Sequence, residues 1–230
     1  MNEVYKDFIL IIGIGRSGTT VCSGLLDQHP LIKMGYEVNN KELYAKNLNP
    51  FYVLAEFPEE FNANKIAFNS SINSPYNSDL VIKCINKRKC IISNDFKDLH
   101  IIFTNRNIID LCVSTWFRFI NKGIMISKKR LVCNIIRSSA MLEKIKESIK
   151  NYFVFEFSKM DDLEYINSMF SFCNLEFSKT FVTKYKSSAP YAYYSNLSIK
   201  NIQYGATNKF PEERREFEEI LISSQFKIKI

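Results

Sequence analysis

Apolar positions in this chain follow two periods, and the change between them marks out the elements. Phe8-Ile-Leu-Ile-Ile12 is an unbroken apolar run stopped by Gly13, the pattern of a strand buried on both faces of a parallel sheet. It is expected to be the central strand. Just beyond, Val21, Leu25 and Leu26 share a helical face, and His29-Pro30 closes that segment. Short apolar runs at 80–82, 101–103 and 152–157 read as further strands. Between and after them, 109–121, 130–150 and 161–173 read as helices, the last with Leu163, Ile166, Met169 and Phe170 on one face. Pro211-Glu212-Glu213 suits a helix start, because proline fits the first turn and acids favour the positive end of the dipole. Strands alternating with helices predict a doubly wound α/β fold, a central parallel sheet flanked by helices. Residues 39–78, rich in Asn and Pro, are expected to form an irregular insertion that covers a substrate, and 184–209 a long loop.

The length, 230 residues, suits a single domain over 1–230 and leaves little room for a second. A formal charge of +7 favours an anionic partner by electrostatic steering. The cations are scattered, however, and short runs such as Lys87-Arg88-Lys89 and Lys128-Lys129-Arg130 read as solvated faces, not as a nucleic-acid patch. A small, highly charged nucleotide satisfies the same balance. The six cysteines form no C-x-x-C pair and sit mainly in apolar runs, so they read as buried, reduced thiols and signal neither zinc nor disulfides. The run at Phe8–Ile12 is too short for a signal peptide core or a membrane span, and a cytoplasmic protein is expected.

Candidate chemistry starts at Gly13-Ile-Gly15-Arg16-Ser17-Gly18-Thr19-Thr20, which lies between the first strand and the first helix. Free backbone N–H groups and the helix dipole meet there, and phosphate is the expected guest. Several readings compete. The run contains G-x-G-x-x-G, with Glu37 about twenty residues on, where a dinucleotide-binding fold places its ribose acid. Arg16 and Ser17, however, fill a turn where a pyrophosphate usually meets bare backbone. The run also has the glycine spacing of a P-loop, but Thr19 stands where the phosphate-binding lysine belongs, which weakens a kinase or ATPase reading.

Arg16-Ser17-Gly18-Thr19-Thr20 also resembles, residue for residue, the 5′-phosphosulfate loop of the sulfotransferases that use 3′-phosphoadenosine 5′-phosphosulfate (PAPS). A second stretch agrees: Arg106, Asp110 and Ser114 match that family's 3′-phosphate motif, while Asn107 replaces its Asp and Ile108 its Pro. The resemblance spans roughly residues 8–175 and implies a three-layer sandwich of the P-loop NTPase-like kind. It implies PAPS as cosubstrate, no metal, and a glycan or small-molecule acceptor with a hydroxyl or amine. Gly15, Arg16, Ser17, Gly18, Thr19 and Thr20 would hold the 5′ end; Arg106 and Ser114 would hold the 3′-phosphate. Arg16 would also neutralise the leaving oxygen.

Glu37, after Gly35-Tyr36, falls where many bacterial family members carry a catalytic glutamate, and it is the candidate base. Lys83 ends the run 80–82 in the manner of a family lysine that steadies the transferring sulfonate. The histidine that the steroid and phenol branch carries two residues past that lysine is Ile85 here, so that mechanism is closed. His29 reads as a structural residue, and Lys184, Lys186 and Lys209 are candidates for a C-terminal nucleotide contact. The competing classes are an NAD(P)-dependent oxidoreductase, a P-loop kinase, and a nucleotide-binding module without catalysis.

Overall fold

A computed structural model describes residues 7–35, 65–72, 98–187 and 210–223. Its centre is a parallel five-stranded sheet of β1 (Asp7–Ile14), β2 (Ile32–Gly35), β3 (Lys65–Ile72), β4 (Asp98–Asn105) and β5 (Phe153–Glu156), in the order β2-β3-β1-β4-β5. As the unbroken apolar run predicts, β1 is the central strand, and Ile9, Leu10, Ile11 and Ile12 are almost wholly buried. The pleat sends alternate side chains to opposite faces, so a continuous apolar run needs cover on both.

Helices supply that cover. On one face α1 (Thr19–Leu26), α4 (Leu163–Phe172) and α5 (Lys179–Ser187) close over Ile9, Ile11, Ile102 and Phe155, with Phe170 fully buried among them. A second core joins α2 (Ile108–Asn121), α3 (Lys128–Glu147) and α6 (Pro211–Ser223) through Val113, Val132, Ile135 and Phe217. The result is the three-layer α/β sandwich expected.

Two expectations need correction. The stretch 39–78 is not irregular throughout, because β3 runs through it at Lys65–Ile72 and pairs with β1 on one side and β2 on the other. Its Asn-Ser-Ser tail carries little strand propensity, but a strand laddered on both sides is held by its neighbours whatever its own preference. Likewise the loop expected from 184 begins later, since α5 continues to Ser187. The expected strand at 80–82 lies outside the described residues. Among the described residues no helix is long and apolar enough to cross a membrane.

Candidate functional site

β1 and β4 are neighbours in register, Gly13 beside Thr104, so their C-terminal ends deliver two loops to the same edge of the sheet. From β1 the chain turns at once: the Ser17 N–H donates to the Ile14 carbonyl at 2.9 Å, and Gly18 caps α1 from the left-handed region at φ 108°. Gly18 is needed twice over, since a Cβ there would also lie 2.8 Å from Cδ2 of Phe157. The first amides of α1 have no partner within the helix and face the turn. Arg16 is held at φ 76°, an unusual conformation for a residue with a Cβ, and one that marks a constrained turn.

The inner side of the turn is fastened to β4. Ser17 and Thr104 are both about 1% exposed, and their hydroxyls share a hydrogen bond of 2.5 Å. The N–H and the hydroxyl of Ser17 are thus engaged within the protein, and this residue shapes the turn. Thr104 went unnoticed in the sequence because a threonine inside an apolar strand carries no signal of its own.

From β4 the chain enters α2 through Asn107, whose side-chain oxygen accepts from the N–H groups of Ile109 (2.9 Å) and Asp110 (3.3 Å). Asn is as good an N-cap as Asp, and Ile108 stands at the first helical position, where proline is favoured but not required. Both departures from the family motif therefore leave the helix start intact. Asp110 does not cap α2. It forms an ion pair with Arg214 of α6, with both side chains mostly buried at 16% and 13% exposure. Removing one partner of such a pair leaves the other charge stranded, so Asp110→Asn should cost roughly 3 kcal/mol in chemical denaturation. Loss of under about 0.5 kcal/mol would show the pair to be solvated and idle.

The two anion candidates meet. Arg16 donates from Nε to Oγ of the buried Ser114, 3.2 Å away, and Arg106 donates from Nη1 to the Arg16 carbonyl at 3.3 Å. The Arg106 guanidinium lies 4.4 Å from the centre of the Phe157 ring, and its buried Nε–H finds no acceptor among the described residues. Burial pulls Arg106 down to about 10, with Arg16 and Arg214 pushing the same way and Asp110 opposing them. Crowded cations with an unanswered donor make a place that an anion stabilises.

Gly15 and Thr20 line the partly exposed side of the turn, and Thr19 is buried beneath it. Glu37 and Lys83 lie outside the described residues. β2, which leads toward Glu37, ends at Gly35 on the edge of the sheet that carries the anion turn, with β3 between it and β1. His29 is buried, accepts at Nδ1 from the Leu31 N–H (3.2 Å) and packs against Phe170 and Phe181, all of which is a structural role. Of the C-terminal lysine candidates, Lys184 sits on an exposed part of α5. The Lys186 side chain and Lys209 lie outside what the structure describes; among the described residues Arg214 is a C-terminal cation that reaches this corner, and no local pattern in the sequence pointed to it.

The buried cysteines are poor nucleophiles, since burial pushes the Cys22 thiol well up and that of Cys112 to about 12. The late strand is scaffold: the Tyr165 hydroxyl accepts from the Glu156 N–H at 2.7 Å and donates to the Val154 carbonyl, and Asn105 donates to both Glu156 carboxylate oxygens at 3.0 Å.

No protein-family model matches the chain, and no curated protein matches it by sequence. Solved structures do match. The sulfotransferase domain from the Synechococcus PCC 7002 olefin synthase is 14% identical, with a TM-score of 0.55 over 96% of this chain and 97% of that one. The sulfotransferase domain from the curacin biosynthetic pathway is 11% identical, with a TM-score of 0.58 over 96% and 99%. At such identities the likeness is one of fold, and this chain has the fold of those sulfotransferase domains.

Proposed function

We propose that this protein is a sulfotransferase that moves the sulfonate group of PAPS to a hydroxyl or amine of a glycan or small-molecule acceptor. The observation that carries the reading is the contact between the two anion loops, Arg16 on Ser114 and Arg106 on the Arg16 carbonyl, with one Arg106 donor unanswered. A nucleotide with phosphates at two positions needs two anion pockets within its own span, and these loops supply them side by side. The fold shared with solved sulfotransferase domains supports the same reading.

The chemistry follows from the residues. The acceptor oxygen or nitrogen attacks sulfur in line, the bond from sulfur to the 5′-phosphate oxygen breaks, and negative charge gathers on that oxygen. Arg16 and the amides at the start of α1 neutralise it. Glu37 is assigned the acceptor's proton and Lys83 the equatorial sulfonate oxygens. Arg106 and Ser114 hold the 3′-phosphate.

The dinucleotide alternative is disfavoured by topology. That fold places its second strand beside the first, so that the ribose acid lies next to the glycine turn. Here β3 intervenes, which sets the end of β2 roughly 10 Å from β1.

Ligand-induced stabilisation tests the nucleotide. Adenosine 3′,5′-bisphosphate should raise the melting temperature more than NAD or ATP with magnesium, and a larger shift with NAD would overturn the reading. Glu37→Gln should keep the shift with adenosine 3′,5′-bisphosphate and slow transfer by about a hundredfold. A chain that binds the bisphosphate and sulfates no phenol, amine or glycan would be a binding module.

A further inference from the structure

The turn between α2 and α3 carries a feature that the nucleotide site does not use. α2 ends in a Schellman motif: Gly123, at φ 67°, donates to the Ile120 carbonyl at 2.9 Å and Ile124 to the Phe119 carbonyl at 2.9 Å. Phe119 and Ile126 pack inward on the core of α2, α3 and α6 and hold the stem of the turn. The remaining apolar residues point the other way, with Ile120 50%, Ile124 45% and Met125 98% exposed. A Cβ built on Gly123 would meet nothing within 4 Å, so the turn stands clear of the body. This is a convex apolar tip, not a groove.

The chain on either side of it is basic. Between Asp110 and Glu143 the sequence holds no acid, yet Arg118, Lys122, Lys128, Lys129, Arg130 and Arg137 fall within that stretch. Lys128 is answered by Glu216 at 2.5 Å. Arg118, Lys122, Lys129 and Arg130 are exposed and form no ion pair among the described residues. Three of the six cations occupy the first turn of α3, which holds no acid of its own and where the helix dipole opposes positive charge. Local helix energetics alone would not select that arrangement. The run Lys128-Lys129-Arg130 reads in the sequence as a solvated face, and the structure sets it beside the exposed Met125.

We propose that this turn docks the protein on an anionic lipid bilayer. Met125, Ile124 and Ile120 enter the headgroup boundary, while Arg118, Lys122, Lys129 and Arg130 meet lipid phosphates around them. A convex tip suits a bilayer, which deforms around an inserted side chain and needs no complementary pocket. The ring of cations gives the preference for negative lipid. Docking at this turn uses none of the nucleotide-binding residues.

Co-sedimentation with phosphatidylcholine vesicles, with and without phosphatidylglycerol, tests it. The protein should partition to the anionic vesicles and barely to the neutral ones. Met125→Asp should lower that partition by about tenfold, and the pair Lys129→Glu with Arg130→Glu by about tenfold or more. Because these side chains are exposed, melting temperature and its shift with adenosine 3′,5′-bisphosphate should stay as in the wild type. No preference for anionic vesicles would overturn the proposal, as would a Met125→Asp protein that binds them unchanged. Retention on polyglutamate without any vesicle binding would overturn it in favour of an acidic protein partner.

Discussion

Arg16→Gly should slow sulfonate transfer by about a thousandfold while leaving the unliganded protein about as stable as before. The two halves of that expectation have separate causes. Arg16 is a residue with a Cβ at φ 76°, a conformation that costs roughly 1 kcal/mol and that glycine adopts freely. Removing the side chain also removes the hydrogen bond to Ser114, worth about the same in the other direction. The net change in unfolding free energy should be within about 1 kcal/mol. Transfer, by contrast, should lose the cation that the proposed function sets beside the oxygen on which charge develops. Single-turnover rates with a responsive acceptor, set beside urea denaturation of the free protein, separate the effects. A variant that transfers within tenfold of the wild type would remove Arg16 from the chemistry. One that transfers slowly because it is unfolded would show the turn to be structural. Such a residue, held in a costly conformation by its surroundings, is what a preorganised site requires.

Gly13→Ala is expected to be the most damaging small substitution in the described chain. Its Cβ would stand 1.9 Å from Oγ1 of Thr104, 2.4 Å from Oγ of Ser17 and 2.9 Å from Cγ2 of Thr19. None of these is the loose end of a long side chain. Thr104 is locked into β4, Ser17 is bonded to it, and Thr19 begins α1. Relief must come from moving the strand or the turn, at a cost of about 3 kcal/mol, near the upper end for overpacking by one methyl. The same displacement should weaken the stabilisation by adenosine 3′,5′-bisphosphate, because the anion turn is fixed through Ser17. Thr104→Ala, which deletes the closest obstacle, should cost about 1 kcal/mol alone and recover part of the loss when combined with Gly13→Ala. The double variant would then be distinctly more stable than the sum of the singles predicts. Strict additivity in denaturation would mean that Gly13 and Thr104 do not meet.

The fold and the site differ in how far each can be read from residues alone. Gly13 to Thr20 is legible because strand, turn and helix are covalently consecutive, so spacing by itself brings amides, hydroxyls and a cation to one corner. The family motif around Arg106 is legible for the same reason. Asn107, read as a departure from that motif, in fact caps the helix, because the position needs a side-chain acceptor and Asn serves as well as Asp. Asp110 shows the opposite limit. The motif places it at a helix start, yet its partner is Arg214, 104 residues away. Nothing near either residue announces the other.

By itself the sequence determined the kind of most elements and the place of the glycine turn between β1 and α1, since hydrophobic period, glycine and capping residues act over a few neighbours. The unbroken run at Ile9–Ile12 could be satisfied only with cover on both faces, and β1 became the central strand. Only the tertiary structure decided the rest. It inserted β3 between β1 and β2, joined Ser17 to Thr104 across 87 residues, and set Arg16 against Ser114 across 98. Strand order and contacts at such separations depend on how whole layers pack, and a local pattern of polar and apolar residues is compatible with several such packings.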